Sequence, residues 1–391
     1  MDEFDFIDRS QSNAEKYTLK QKLFGSSEVL PMWVADMDIA TPACILNAVR
    51  HRLEHPIVGY EIMSESAYRA QCDWVARHHA WPIKIECLSY SPSVVASIGC
   101  AIRAFSNEGD EVIVQSPVYP PFYDMVRINN RKLVLNPLIQ DDRKEYRFDL
   151  EDLKAKITPK TKLLLLCSPH NPVGRVWSRE ELEALGDLCV QNGIIIISDE
   201  VHCDIIFTDN THIPLASISS TLSENTVTLM GPGKTFNMAG FSISTVVITS
   251  SVLRERYRIE QHKIHYGDGA VLSHVAFETA YSKGDIWRTD LLNHLAFNRE
   301  MMDQWCSLHP IIGFHKPQGT YLAWLDCRAL KMGDRELRDF FVKEAGLGLS
   351  AGLSFGKEGS GYMRLNFAVA REVLQRALAQ LSGALKRNGY G

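Results

Sequence analysis

The chain has 391 residues, of which 45% are hydrophobic and 23% are charged, with 42 Lys and Arg against 47 Asp and Glu. This balance excludes disordered, collagen-like and coiled-coil proteins, and the net charge of −5 gives no sign of a nucleic-acid-binding surface. A chain of this length buries about three quarters of its surface on folding, which is enough for a large core and predicts two domains.

The cysteine content and the lengths of the apolar segments indicate the cellular compartment of the protein. The nine cysteines form no CxxC pair and no regular spacing, which is typical of reduced thiols in the cytosol. The first residues are acidic and lack the apolar stretch of a signal peptide, and the longest apolar runs, 163–167 and 194–197, are too short to cross a bilayer. We therefore expect a soluble, cytoplasmic protein without a membrane or nucleic-acid partner.

Helices and strands alternate between about residues 90 and 250. Apolar spacing predicts a helix over 94–105, and a second helix begins after Ser178, which forms a capping box with Glu181. Short apolar segments predict strands at 111–115, 162–168, 194–198, 226–230 and 245–249. Strands that are apolar throughout are typical of a mostly parallel sheet with helices on both faces.

The pattern changes after residue 250. Helices are predicted at 252–263, 285–305, 334–345 and 371–387, and strands at 320–326 and 362–367. Residues 1–45 are expected to be irregular, as in an arm. We expect an α/β fold of three parts: an arm that adds to the small domain (1–45), a large domain with a mostly parallel sheet (46–275) and a smaller α+β C-terminal domain (276–391).

Two local patterns imitate sites without the residues that those sites need. The G-x-S-x-G pattern at 352–356 fits a hydrolase nucleophile, but the last histidine is His315, so no histidine follows the serine. The histidine pairs at 262 and 265 and at 78 and 79 have no cysteine or carboxylate at ligand spacing. We therefore predict no metal site.

Polar residues follow two of the predicted parallel strands, at the sheet edge where open α/β proteins bind ligands. Asn171 lies in a turn rich in proline and glycine. This composition fits a plain turn between strand and helix as well as it fits a ligand-binding loop. Asp199 ends the next strand, and His202 follows it. This pair is either a solvated loop with a helix cap, or a carboxylate and an imidazole that contact one flat ligand.

A lysine and an arginine stand in unusual surroundings. Lys234 lies in a glycine-rich turn after a strand, between Gly233 and Phe236, where partial loss of water would lower its pKa, although most lysines are simply on the surface. Arg364 lies inside an apolar strand. A guanidinium there needs an anion, which is either a substrate carboxylate or the carboxylate of an internal ion pair.

Together these features resemble the enzymes of the aspartate aminotransferase fold that depend on pyridoxal 5′-phosphate (PLP), and most closely their cystathionine β-lyase / cysteine-S-conjugate β-lyase branch. Asn171, Asp199, Lys234 and Arg364 have the order and approximate separation of that superfamily. The resemblance covers nearly the whole chain and is carried by PMWVADMD at 31–38, GY at 59–60, HNPVGRVW at 170–177, DEVH at 199–202, KTFNMAG at 234–240, GTYLAWLD at 319–326 and GxxFG at 352–356.

The resemblance implies PLP as the cofactor and assigns its contacts. Lys234 would bind the PLP aldehyde covalently and, once displaced by the substrate amine, transfer the proton. Asp199 would keep the pyridinium nitrogen protonated, and Tyr119 would stack on the ring as the third catalytic residue. His202 and Asn171 would share the ring hydroxyl.

The resemblance also implies how phosphate and substrate are held. Backbone N–H groups at a helix start would bind the phosphate, namely those of Ser93, Val94 and Val95. Arg364 would bind the α-carboxylate of an amino-acid substrate, with Asn171 and Ala35 beside it. Tyr60 would reach the phosphate of the neighbouring subunit, which implies a homodimer with shared active sites.

The implied reaction is β-elimination from cystathionine or another S-substituted cysteine, giving a thiol, pyruvate and ammonia. An aminotransferase, or a specialised elimination or cyclisation enzyme, would use the same residues. A purely regulatory PLP-binding protein is a further alternative, which the intact Lys234, Asp199 and Arg364 disfavour. Gly231, Gly233 and Ser242 replace residues that the superfamily often uses near the phosphate, namely two serines and an arginine.

Overall fold

A computed structural model of the chain describes residues 4–265, 267 and 269–390. Its α-helices are α1 (Glu15–Thr18), α2 (Lys20–Phe24), α3 (Ala43–Arg52), α4 (Glu65–His79), α5 (Val94–Phe105), α6 (Pro121–Ile128), α7 (Leu150–Lys156), α8 (Arg179–Gln191), α9 (Ser220–Glu224), α10 (Ser251–Ile264), α11 (Val271–Lys283), α12 (Asp285–Leu308), α13 (Asp334–Asp339) and α14 (Arg371–Arg387). Its strands are β1 (Leu30–Pro31), β2 (Leu88–Ser91), β3 (Glu111–Val114), β4 (Lys132–Leu135), β5 (Ile139–Gln140), β6 (Tyr146–Arg147), β7 (Thr161–Cys167), β8 (Ile195–Asp199), β9 (Thr226–Met230), β10 (Ser244–Val247), β11 (Gly313–Phe314), β12 (Leu322–Asp326), β13 (Leu347–Gly348), β14 (Ser350–Ala351) and β15 (Tyr362–Asn366).

The largest sheet has seven strands in the order β2-β10-β9-β8-β7-β3-β4. The strands from β9 to β4 are parallel to their neighbours, whereas β10 is antiparallel to both β9 and β2. The prediction of an α/β fold with a mostly parallel sheet is confirmed.

Strand β7 shows why these segments are apolar throughout. Leu163 and Leu165 pack into a core cluster that includes residues of α5, α6 and α10, while Leu164 and Leu166 pack on the other face with residues of α7 and α8. All four side chains are buried. Burial of each contributes about 1.5–3 kcal/mol, so helices on both faces stabilise the sheet that carries the site.

A second sheet has four antiparallel strands in the order β11-β12-β15-β14. Arg364, on β15, lies opposite Trp324 of β12 and Ser350 of β14. This sheet therefore presents one buried cation to the rest of the molecule. The division of the chain at residues 45 and 275 stays a prediction.

Several predicted elements have the predicted limits. Helices α5 and α14 and strand β9 begin and end where expected, and Ser178 and Glu181 form reciprocal capping hydrogen bonds at the start of α8. The expectation of irregular structure over residues 1–45 was wrong in part, because the short helices α1 and α2 lie there. Among the described helices, none combines the length and the apolar character needed to cross a membrane.

Candidate functional site

A cavity of about 690 Å³ opens where strands β7, β8 and β9 end. Asn171, Asp199 and Lys234 follow or end these parallel strands, and all three line the cavity. The carboxyl ends of parallel strands lie at the same edge of a sheet, which explains why residues so far apart in the chain meet here. Arg364 of the second sheet lines the same cavity.

Asp199 is a buried carboxylate at the end of β8. Its Oδ1 accepts a hydrogen bond from the Val201 N–H at 3.1 Å. Burial raises the pKa of Asp199 to about 7, and the nearby Lys234 ammonium opposes that rise. A carboxylate held in this way gains strongly from a cationic partner in the cavity.

His202 is a buried imidazole on the same wall of the cavity. Burial lowers its pKa well below the usual value, and the positive charges of Lys234 and Arg364 lower it further. Its Nδ1 atom is buried and has no hydrogen-bond partner within the described part of the chain. The neutral ring therefore keeps one nitrogen free for a ligand.

Lys234 lies in the turn after β9 and faces the cavity. Its Nζ donates a hydrogen bond to the Ala35 carbonyl oxygen at 2.7 Å. Burial lowers the pKa of Lys234 to about 8, and the Arg364 charge adds to this effect. The alternative of an ordinary surface lysine does not fit, because this amine lines the cavity, is hydrogen-bonded there, and has a pKa lowered to about 8.

Arg364 contacts no carboxylate among the described residues. Its Nη1 donates to Asn171 Oδ1 at 2.9 Å, its Nη2 donates to the Trp33 carbonyl at 2.7 Å, and the guanidinium lies 4.7 Å from the centre of the Phe355 ring. Burial lowers its pKa to about 10. The alternative of an internal ion pair therefore does not apply to Arg364 within the described residues. Its positive charge remains available to an anion in the cavity.

The first turn of α5 forms another part of the wall. Ser93, Val94 and Val95 line the cavity, and Ser93 Oγ caps the helix by accepting from the Ala96 N–H at 3.1 Å. A helix N-terminus has free backbone N–H groups and a partial positive charge, which suit a phosphate. Tyr119 lines the cavity as well.

One predicted residue lies apart from these. Tyr60 is fully exposed and does not line the cavity of its own chain. Its neighbours Ile57, Val58 and Ile62 are exposed as well. The family resemblance implies that Tyr60 acts at the site of a second copy, and this stays a prediction.

Within the described residues, one group has the spacing of metal ligands, formed by His79, Cys203 and Asp204. The Asp204 carboxylate already accepts hydrogen bonds from Trp74, His79 and Thr235, at 2.9 Å each. These bonds assign the cluster a structural role behind the cavity. The sequence analysis missed it, because Cys203 and Asp204 are far from the histidine along the chain.

The model of the family described as aminotransferase class I and II matches residues 48–381. The chain belongs to the aminotransferase class I and II family. The chain is 37% identical to "Cystathionine beta-lyase PatB" of Bacillus subtilis, over 97% of this chain and 98% of that protein. This confirms the family that the sequence motifs indicate.

Two solved structures place this aminotransferase-family chain among close structural relatives. Cystalysin from Treponema denticola, which contains PLP, superposes with a TM-score of 0.95 at 31% identity and 99% coverage of both chains. The PLP-bound C–S lyase from Staphylococcus hominis superposes with a TM-score of 0.91 at 33% identity and 98% coverage of both chains.

The sequence analysis assigned no role to Tyr321, which contacts the cavity wall of this aminotransferase-family chain through Ala35, or to some residues of the wall itself. Tyr321 donates a hydrogen bond to the Ala35 carbonyl at 2.9 Å. Its motif was recognised, but nothing in the motif points to Ala35. The cavity wall also contains residues to which no role was assigned, namely Glu15, Phe24, Arg338 and Ser350.

Proposed function

We propose that this protein is a PLP-dependent C–S β-lyase, which cleaves cystathionine or another S-substituted L-cysteine to a thiol, pyruvate and ammonia. The observation that carries the proposal is one cavity lined by a lysine of lowered pKa, a buried carboxylate, and a buried arginine that pairs with no carboxylate of the described residues. Relatives that are named cystathionine β-lyase and C–S lyase, similar over almost their full length, support this reaction over others of the family.

The residues of the cavity fit PLP. The Lys234 amine suits the aldehyde and the Asp199 carboxylate suits the pyridinium nitrogen. The Nδ1 of His202, which bonds to none of the described residues, suits the ring hydroxyl. The start of α5 suits the phosphate. When bound, PLP supplies an electron sink for the bond that is broken at the substrate Cα.

Arg364 binds and orients the substrate. Its guanidinium holds the α-carboxylate by two charge-assisted hydrogen bonds, while Asn171 and Trp33 keep the guanidinium in place. The substrate Cα then lies on the Lys234 side of the cavity. This orientation decides which bond at Cα is broken.

Lys234 moves the proton. With a pKa of about 8, its amine is partly deprotonated near neutral pH and takes the proton from Cα. Asp199 would hold the pyridinium nitrogen of PLP and, when ionised, would stabilise its positive charge. The C–S bond then breaks, the thiolate leaves with the electron pair and is protonated, and water converts the remaining unsaturated amine to pyruvate and ammonia.

The proposal includes a homodimer. The segment around Tyr60 exposes four large apolar side chains, those of Ile57, Val58, Tyr60 and Ile62. Clusters of this kind on a folded chain indicate a protein interface. A second copy would cover them and receive Tyr60 at its phosphate site.

The proposal also places the protein in the cytoplasm. All nine cysteines are free, and eight of them are buried. Burial raises the pKa of several of these thiols, for example Cys72 and Cys100 to about 11, so they are unreactive at neutral pH. Free, unreactive thiols suit a reducing compartment.

Lys234→Ala tests the proposal. It removes the group that bonds to PLP, so we expect the visible absorption of the bound cofactor to change and elimination to fall by at least about 10³-fold. Lys283→Ala is the control, because it changes the last residue of α11, which is exposed and does not line the cavity. A Lys234→Ala protein with wild-type absorption and turnover would refute the assignment.

A further inference from the structure

The carbonyl oxygen of Ala35 is shared by two donors. Lys234 Nζ donates to it at 2.7 Å, and Tyr321 Oη donates to it at 2.9 Å. A carbonyl oxygen has two lone pairs, so these two bonds use its full capacity. The Tyr321 hydroxyl therefore helps to set the direction of the group that holds the Lys234 amine.

The segment around Ala35, residues 33–38, is fixed from both ends. Asn366 Nδ2 donates to the Val34 carbonyl at 2.7 Å and to the Asp36 carbonyl at 2.6 Å. Asn237 Oδ1 accepts from the Met37 N–H at 3.0 Å. Side-chain amides thus help to hold the segment, and at the Ala35 carbonyl itself Tyr321 is the second donor beside Lys234.

The backbone before Tyr321 is strained. Thr320 has φ = +68°, in the left-handed region that β-branched residues avoid. It is fully buried, and its N–H donates to the Ile205 carbonyl at 2.8 Å. Such strain persists where the surrounding structure enforces it, and it is concentrated at functional sites. The strained backbone at Thr320 is therefore a second observation, which indicates that the position of Tyr321 is important.

We propose that Tyr321 is a positioning residue, which holds the Lys234 amine through the Ala35 carbonyl while that amine transfers the Cα proton. The inference rests on the proposed role of Lys234. The amine donates one N–H to Ala35, and its lone pair forms the new N–H bond as the Cα–H bond breaks. The electron pair of that bond stays with the substrate and its cofactor, and the ammonium later returns the proton to the leaving thiolate.

The Tyr321 hydroxyl can act in this way over the whole working range of pH. Burial raises the pKa of Tyr321 strongly, and the Asp36 carboxylate raises it further, so the hydroxyl remains a donor. The ring also meets the edge of His202, with centroids 5.8 Å apart. Tyr321→Phe keeps that ring and removes the hydroxyl alone.

The test is exchange of the Cα proton of L-alanine in heavy water, followed by NMR on the PLP-loaded protein. Alanine has no leaving group, so exchange reports proton transfer whether or not the protein is a lyase. We expect Tyr321→Phe to slow exchange at least about tenfold, to increase the primary isotope effect at Cα, and to leave alanine affinity within about twofold. Tyr390→Phe is the matched control, since it removes a tyrosine hydroxyl that donates to the Leu330 carbonyl at 3.2 Å.

A second readout uses the protein without PLP. Acetylation of Lys234 is followed by mass spectrometry about two pH units above its pKa of about 8, where the amine is deprotonated. We expect the rate of Lys234 acetylation to be several-fold higher in Tyr321→Phe and unchanged in Tyr390→Phe. Only the first variant loses the hydrogen bond that fixes the Ala35 carbonyl, the acceptor of the Lys234 amine.

Wild-type rates of exchange and acetylation in Tyr321→Phe would overturn the proposal. Changes of the same size in the exchange and acetylation rates of Tyr390→Phe would also overturn it, because they would show that loss of any tyrosine hydroxyl disturbs the protein in general. A wild-type protein that exchanges alanine but releases no thiol from cystathionine would refute the lyase function alone and leave the role of Tyr321 standing.

Discussion

The ionised Asp199 side chain destabilises the protein when PLP is absent, and its proposed pyridinium partner would offset this cost when PLP is bound. Its pKa is about 7 in the folded chain, against an ordinary value of 3.8. The unfolded chain therefore releases this proton at lower pH than the folded chain does. As pH rises from about 4 to about 7, ionisation favours the unfolded chain, and above pH 7 the penalty is constant.

Asp199→Asn removes this penalty, since asparagine does not ionise. In PLP-free protein at pH 8 we expect the melting temperature to rise by roughly 2–4 °C or more, and the gain to vanish near pH 4. Thermal unfolding at both pH values measures it. With PLP, the same variant should lose most turnover, because the pyridinium nitrogen loses its ionised partner. A lower melting temperature at pH 8 would contradict the burial argument.

Arg364 should tolerate no replacement, even by lysine. Arg364→Lys keeps the positive charge but loses the planar pair of donors, so we expect the KM for the amino acid to rise by roughly 10- to 100-fold, with a smaller change in kcat. Steady-state kinetics measure both. Arg328→Lys is the control, because that arginine is 54% exposed and pairs with Asp326 at the surface. Equal KM values for Arg364→Lys and wild type would exclude Arg364 as the carboxylate-binding residue.

At the scale of elements, the turn after β9 differs from that of many superfamily members at Gly231 and Gly233. A Cβ added at Gly231 would lie 3.0 Å from Ser244 Cβ and 3.1 Å from its Cα, a contact with backbone that cannot easily move. A Cβ at Gly233 would lie 3.5 Å from Ala239, in ordinary contact. The two glycines are therefore not equivalent.

Gly233→Ser should be tolerated, with stability within about 0.5 kcal/mol of wild type, and its hydroxyl should tighten PLP binding. Gly231→Ser should cost about 1–3 kcal/mol. Denaturant unfolding and PLP titration compare the two variants directly. Equal stability of both variants would show that strand β10 can move away from the turn.

The elements that the sequence predicts well are those with local signals. The limits of α5 follow from its apolar spacing, and the start of α8 follows from the Ser178 cap. Helix α4 was missed, because the buried polar Gln71 interrupts its apolar stripe of Ala67, Trp74 and Val75. Buried polar groups of this kind depend on distant partners, here Thr245, which no local pattern contains.

The residues of the candidate site also divide into those with a local sequence signal and those that depend on distant partners. Asn171, Asp199 and Lys234 could be found because each follows a predicted strand. The link between Tyr321 and Ala35 joins residues 286 positions apart and uses a backbone carbonyl, so no side-chain motif records it. Sequence analysis thus finds the candidate ligand-binding residues more readily than the contacts that hold those residues in place.

At the scale of the whole molecule, a dimer with shared sites predicts complementation. Lys234→Ala and Tyr60→Ala should each be nearly inactive, because one lacks the amine and the other lacks a phosphate contact across the interface. Subunits mixed at random should regain about a quarter of the wild-type sites, since half of the dimers are mixed and each has one intact site. Activity of the co-expressed pair, with each variant alone as control, measures this. No recovery in mixed dimers would exclude a Tyr60 that acts across the interface.

The proposed reaction is tested most directly by one incubation. PLP-loaded protein is mixed with L-cystathionine without any 2-oxo acid, and thiol and pyruvate are measured together. We expect equal amounts of both to appear with repeated turnover, and neither to appear with Lys234→Ala. Turnover only after addition of a 2-oxo acid, with no release of thiol, would contradict the lyase and identify an aminotransferase.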